Sequence, residues 1–236
     1  MQVDHFTFLF ICRWTLRFRW IPLYSNVLKW KHDFFRRSSR RTRKCIYALA
    51  LSEQFLTIPI AYRNWDLYEY PLLPKTRKHT WSIKTSSQIE KPRFVVLALQ
   101  TNRKNNGELS MAEFDHCHVR DVRVFLNSSY YPYEGLNVSF AEDKFTLLYE
   151  QYVRFQQSYH GRRSEPLMSL KEFRDVAPLF VIDCSRQHET LKGPIDVRVE
   201  IETDQEIPDQ TAAYCLILND CIFEYKPLSN IVKKIS

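Results

Sequence analysis

Glycine is scarce in this chain: four residues in 236, Gly107, Gly135, Gly161 and Gly193, each far from the next. A phosphate-cradling loop and a dinucleotide fingerprint both need clustered glycines so that the backbone can approach the ligand closely, and nucleotide-loop chemistry is largely excluded. The six cysteines (Cys12, Cys45, Cys117, Cys184, Cys215 and Cys221) include no CxxC pair. Cys117, Cys184 and Cys215 fall inside or at the end of apolar strand-like runs, so reduced, buried thiols are the expectation. Long hydrophobic runs are missing too. The seven-residue run Phe6 to Cys12 follows an acid rather than a basic region and is succeeded at once by Arg13, Arg17 and Arg19. It is too short to span a bilayer and makes a poor signal peptide, so no membrane partner is expected and an intracellular location, cytoplasm or nucleus, is favoured. The sequons at Asn127 and Asn137 matter only in a secreted protein and read as chance.

Apolar and aromatic residues are plentiful, at 44% and 14% of the chain, enough to fill the core of one large domain or two small ones. The net charge of +7 is unevenly spread: residues 1–50 carry eleven Lys/Arg against Asp4 and Asp33, a net +9, which leaves 23 basic and 25 acidic residues for 51–236. A localised positive segment points to nucleic acid or another polyanion, and its tight basic run is Arg36, Arg37, Arg40, Arg41, Arg43 and Lys44. The same segment mixes in Phe6, Phe8, Phe10, Trp14, Phe18, Trp20, Trp30, Phe34 and Phe35 with no helical or strand period. The plainer reading is a poorly ordered extension, residues 1–50, ahead of a domain at 51–236.

From Leu51 the pattern is that of short strands. Phe94 to Leu99 and Leu179 to Ile182 are continuous apolar cores closed by turn formers, as in strands buried on both faces, and are expected to be the central pair. Phe55 to Ile60, with Pro59 inside it, suits an edge strand. Tyr62 to Tyr70 and Thr80 to Ser86 read as further strands. Phe114 to Leu126 alternates in its second half, with Val122, Val124 and Leu126 facing one way and Arg123 and Phe125 the other. Val197, Val199 and Ile201 alternate with Arg198, Glu200 and Glu202. Ala213 to Leu218 and Ile222 to Tyr225 flank Asn219-Asp220, which suits a tight hairpin. One long helix is expected over about 141–160, from the Ser139–Glu142 capping box, the stripe Phe145, Leu148, Tyr152 and Phe155, and Gly161 just beyond. A second capping box, Ser169 with Glu172, opens a short helix at about 170–176. The sum is a mainly β, antiparallel sandwich or jelly roll with one inserted long helix.

Candidate sites are thin. His116 and His118 would share a face if they lay on a strand, but zinc needs one or two more ligands and none is near in sequence; a solvent-facing pair is the simpler reading. Cys184, with Asp183 beside it and His188 four residues on, would need a reason to be oriented as nucleophile and base, and a turn supplies none. Glu200, Glu202, Asp204 and Glu206 form an acidic ladder of the kind a solvated strand face carries, with no sign of the burial that general acid/base work requires. No catalytic residue, metal ligand or cofactor is assigned.

Longer phrases carry more. PIAYRNWDLYEYPLLP (Pro59 to Pro74), KHTWSIKTSSQIEKPRFVVLALQTNR (Lys78 to Arg103), FLNSSYYPYEGLNVSF (Phe125 to Phe140), APLFVIDCSRQ (Ala177 to Gln187) and AYCLILNDCIFEYKPLSNIVKKI (Ala213 to Ile235) occur in order. Together they resemble the double jelly-roll domain proteins of animal genomes, related to the major capsid proteins of Maverick/Polinton elements and similar large DNA viruses. The resemblance covers about residues 51–236. It implies two jelly rolls side by side, three copies to a trimer and a shell built from trimers. Ahead of Leu51 there is no room for a first roll, so the expectation is the second barrel plus the link into it, from a truncated or domesticated gene. A non-enzymatic, self-associating structural protein, virion-like if it assembles, is the function implied. The alternative is a β-sandwich binding module whose basic arm contacts nucleic acid. A jelly-roll enzyme or lectin would need a metal cluster or sugar site that the residues do not provide.

Overall fold

The two strand patterns read from the sequence, continuous and alternating, sort into two different sheets. The computed structural model describes residues 57–83, 92–104, 106–160, 166–187, 195–226, 229 and 231–235. Among these are nine strands and two helices: β1 (Ile58–Tyr70), β2 (Lys78–Ile83), β3 (Pro92–Thr101), β4 (Val119–Leu126), β5 (Ser129–Tyr131), α1 (Thr146–His160), α2 (Leu170–Val176), β6 (Phe180–Asp183), β7 (Val197–Thr203), β8 (Thr211–Lys226) and β9 (Ile231–Ile235). The first sheet runs β1-β8-β3-β6, with β9 also paired to β8, and the second runs β2-β7-β4-β5. The first eight strands thus alternate between sheets in the order 1-8-3-6 over 2-7-4-5, which is the double Greek key of a jelly roll. The fold is the mainly β, antiparallel jelly-roll sandwich expected, with its helices inserted between β5 and β6.

The chain divides into two compact units. The larger takes in Arg63–Asp220. In it every residue of β3 from Phe94 to Gln100 is buried, as is β8 from Thr211 to Asn219. Such strands need cover on both faces. One cover is the second sheet, whose strands alternate: Val197, Val199, Ile201 and Thr203 of β7 turn inward and Arg198 outward, and Val122, Val124 and Leu126 of β4 turn inward. The other cover is helical. Leu148, Tyr152, Phe155 and Tyr159 make the buried stripe of α1, and Phe155 meets Phe94 of β3 edge-on at 4.9 Å. Tyr152 in turn packs on Phe173 of α2 at 5.1 Å. The second, smaller unit includes Cys221–Ser236 and the described residues as far as Tyr62. There β8 pairs with β9 from Ile222↔Ile235 to Lys226↔Ile231, and Tyr62 stacks flat on Phe223 at 4.5 Å.

Several local expectations change. The Ser169–Glu172 capping box forms, each residue bonding the other's backbone N–H. The Ser139–Glu142 box does not: Ser139 and Lys144 exchange two backbone hydrogen bonds across a tight loop with Asp143 at φ 53°, so α1 starts at Thr146 rather than near 141. The Phe114 to His118 part of the expected strand is irregular backbone that turns at Cys117 and His118, both of which take positive φ. The strand pieces at 55–60 and 62–70 are one strand in their described part, at the sheet's border as Pro59 requires. Asn219-Asp220 makes no hairpin: β8 runs straight through it. β6 also sits at the border of its sheet, while β3 and β8 are central. Its residues Phe180 to Ile182 read as central because they are fully buried despite that position.

If the helical cover carries the sheet, Phe155→Ala should cost about 3–5 kcal/mol, the usual range for deleting a buried ring. Urea unfolding would register it as a lower midpoint, whereas a loss below about 1 kcal/mol would mean that α1 bears little of the packing.

Candidate functional site

The residues singled out in the sequence are not brought together. Arg36, Arg37, Arg40, Arg41, Arg43 and Lys44, the boundary near Leu51 and His188 all lie outside the described residues. His116 and His118 are on a turn, not on one face of a strand. Their rings meet edge-on at 4.7 Å, His116 lies flat on Phe140 at 4.5 Å, and its Nδ1 accepts the His118 N–H at 3.0 Å. Burial pushes the His116 imidazole below its ordinary range, and one of its nitrogens is already used. Among the described residues no group of three or more His, Cys, Asp and Glu is placed to hold a metal ion.

Cys184 is completely buried, and its thiol points to the Ile182 carbonyl at 3.9 Å. Burial raises its pKa well above that of a free thiol, so it is held as a thiol and not as the nucleophilic thiolate. Neighbouring Asp183 is exposed and accepts the Ser185 N–H at 2.8 Å. In the acidic ladder, Glu200 is paired with Lys78 at 2.9 Å, and Asp204 and Glu206 are exposed.

One polar constellation escaped sequence reasoning. On the larger sheet, Asp220 of β8 accepts from Arg93 of β3 at 2.6 Å and from Arg63 of β1 at 3.3 Å. The Arg63 guanidinium also lies 4.3 Å over the ring of Tyr159 and donates to that residue's carbonyl, in the last turn of α1. Trp65 Nε1 donates to the Tyr159 hydroxyl at 2.6 Å. Beside them Asp66 accepts from Asn64 at 2.9 Å and from buried Asn219 at 3.2 Å. A cation at a helix C-terminus meets the negative end of the macrodipole, which adds to its attraction for Asp220. Three strands and a helix end are thereby fastened at one point. The residues stand 63, 93, 159 and 220 along the chain, and the only sequence signal was an Asn-Asp pair inside an apolar run. Chemically the cluster is a clamp: Asp220 is held by two guanidiniums and Asp66 by two amides. Arg63 and Asp220 are part-exposed, so solvent screening limits the pair to about 1 kcal/mol or less.

A second network holds the loop after β3. Arg103, nearly buried, bonds Asp115 at 2.8 Å and Glu113 at 3.2 Å, and Gln100 donates to the carbonyls of Met111 and Glu113 at 2.9 Å each. This too is structural.

Comparison with known proteins returns a family. The profile of the double jelly roll-like domain matches residues 42–223. The chain belongs to that family. Among solved structures it is similar to a chain of the Sputnik virophage determined by electron cryo-microscopy, at 12% identity and a TM-score of 0.42, over 76% of this chain and 39% of that one. It therefore spans well under half the length of that chain. No curated protein matches it. In the described part of this double jelly roll-like chain, one eight-stranded roll is complete.

The four described cysteines of this family member, Cys117, Cys184, Cys215 and Cys221, are buried. Burial raises the Cys117 pKa to about 11 and that of Cys215 further still. Alkylation requires thiolate, so at pH 8 Cys117, Cys184 and Cys215 should not react until the protein unfolds. Mass mapping after iodoacetamide would check this; rapid native labelling of Cys184 would restore it as a candidate nucleophile.

Proposed function

We propose that this chain is a non-enzymatic, capsid-like structural protein that associates with copies of itself through its jelly-roll domain. The observation that carries the reading is the 1-8-3-6 over 2-7-4-5 strand order in a chain of the double jelly roll-like family. The commitments of the polar side chains support it: thiols are buried, carboxylates are paired with cations or face solvent, and the best-connected polar cluster fastens strands. Descent from a Maverick/Polinton-type capsid gene and assembly as trimers are the finer form of the proposal. Among the described residues no helix is long and apolar enough to cross a membrane.

Light scattering of the purified chain at micromolar concentration tests it. Trimers or larger assemblies are expected, and a stable monomer across that range would overturn self-association.

A second reading rests on the +9 charge of residues 1–50: a binding module whose basic arm contacts nucleic acid. Clustered arginines bind phosphates by releasing counterions, so affinity should fall steeply with salt and be alike for every duplex sequence. Replacing Arg36, Arg37, Arg40, Arg41 and Arg43 by Ala should abolish it. Binding that survives those changes, or that ignores salt, would rule the arm out.

A further inference from the structure

The outward face of the four-stranded sheet carries no helix among the described residues, and it is divided in two. Strand register puts Arg123 beside Glu200 and Thr80 in one row, and Tyr130, Phe125, Arg198 and Ser82 side by side in the next. The first row is electrically settled: Lys78 takes Glu200 at 2.9 Å, and Asp121 takes Arg123 at 2.8 Å. The second row is aromatic. The Arg198 guanidinium lies 4.4 Å over the Phe125 ring, Phe125 is 5.8 Å from Tyr130, and Tyr130 is 6.2 Å from Tyr133. Tyr130 and Tyr133 are 41% and 58% exposed. Behind them buried Tyr131, 5.3 Å from Tyr133, ties its hydroxyl to the Arg186 carbonyl. The patch thus has a firm inner support and an open outer surface. Beside it, β5 ends the sheet with only three residues.

Tyrosine and arginine on a packed support are among the residues that dominate protein contacts: tyrosine buries a large area at small entropic cost and keeps a polar tip, and arginine brings a charged fork that stacks on rings. Charge narrows the partner. Arg198, over Phe125, and Arg186, whose carbonyl holds Tyr131, are exposed, and so are Glu134, next to Tyr133 in the chain, and Asp196, bonded through its backbone to Asn127 at the end of β4; among the described residues none of the four makes an ion pair. A polyanion would be attracted by two of these groups and repelled by two. A surface holding equal numbers of both signs around an apolar centre is complementary to another copy of itself, with Arg198 of one copy facing Glu134 of the next. We propose that the Phe125–Tyr130–Tyr133–Arg198 patch is the contact surface between copies of this chain. The assignment rests on the self-association reading and names where that association occurs.

Sedimentation velocity of the full chain over a concentration series tests it, with the thermal unfolding midpoint as a check on folding. Tyr130→Ser with Tyr133→Ser should weaken association by at least roughly tenfold, the loss expected of hot-spot side chains. Should that double variant fail to fold, Arg198→Glu, at an exposed position, carries the test alone: it should weaken assembly, and adding Glu134→Arg should recover it. Unchanged association of the folded variants would overturn the patch while leaving self-association in place. Loss of oligo-dT binding with assembly intact would overturn it in favour of single-stranded nucleic acid. A wild-type chain that stays monomeric would remove the underlying reading and the patch with it.

Discussion

A strand buried on both faces has to be covered twice, and in this chain the second cover is supplied by the insertion between β5 and β6. In the larger unit the second sheet lines one face of β3 and of β8 from Thr211 to Asn219; the other face is met by α1 and α2. Phe155 on Phe94, Phe173 on Tyr149 and Tyr152, and Phe140 on Phe180 make that cover. Each such side chain taken from water contributes about 1.5–3 kcal/mol, so the insertion is part of the core and not an ornament on it. It also explains β6, a border strand whose Phe180 to Ile182 are nonetheless buried. Exposed hydrophobic edges invite unwanted pairing, and here the helical cover protects one.

The same cover is pinned where α1 ends. Tyr159 receives Arg63 on both its ring and its carbonyl, and Arg63 shares Asp220 with Arg93. Asp220 can therefore sit within a sixteen-residue strand without turning the chain. An Asn-Asp pair favours a turn when its side chains have only their own backbone to bond. In this strand Asn219 is bonded to Asp66 and Asp220 to two guanidiniums, so the local preference is overridden by partners more than a hundred residues away.

That contrast marks how far the chain could be read in advance. Features set by near neighbours were legible: the alternation of β4 and β7, the capping box at Ser169, the apolar stripe of α1 and the buried character of β3. The jelly-roll class followed from their number and spacing and from the family phrases. What failed was decided by a distant partner or by a backbone turn that residue spacing does not show. The Ser139–Glu142 box has the right spacing, but Ser139 is taken by Lys144 across a loop with Asp143 at positive φ. His116 and His118 have strand spacing, but positive φ at Cys117 and His118 turns the backbone. β6 and β8 exchanged roles because complete burial says that a strand is covered, not by what. The clamp was invisible for the same reason, since nothing in positions 63, 93, 159 and 220 announces that they meet.

The two outward faces of the roll are therefore unequal, and the inequality bears on function. In the larger unit one sheet is covered by the insertion, so the apolar residues of β3 and of β8 from Thr211 to Asn219 are buried within the chain. The other has an outside on which charged residues pair with one another along one row while the next row leaves tyrosines open beside unpaired charges of both signs. A sheet face needs only polar residues to be soluble, and the Arg123–Glu200 row shows that these strands accommodate them. Aromatic rings at neighbouring positions on the same strands are thus not forced by the fold; they are surplus to it. Surplus apolar area on a face that no described helix covers is where a contact from outside has something to gain.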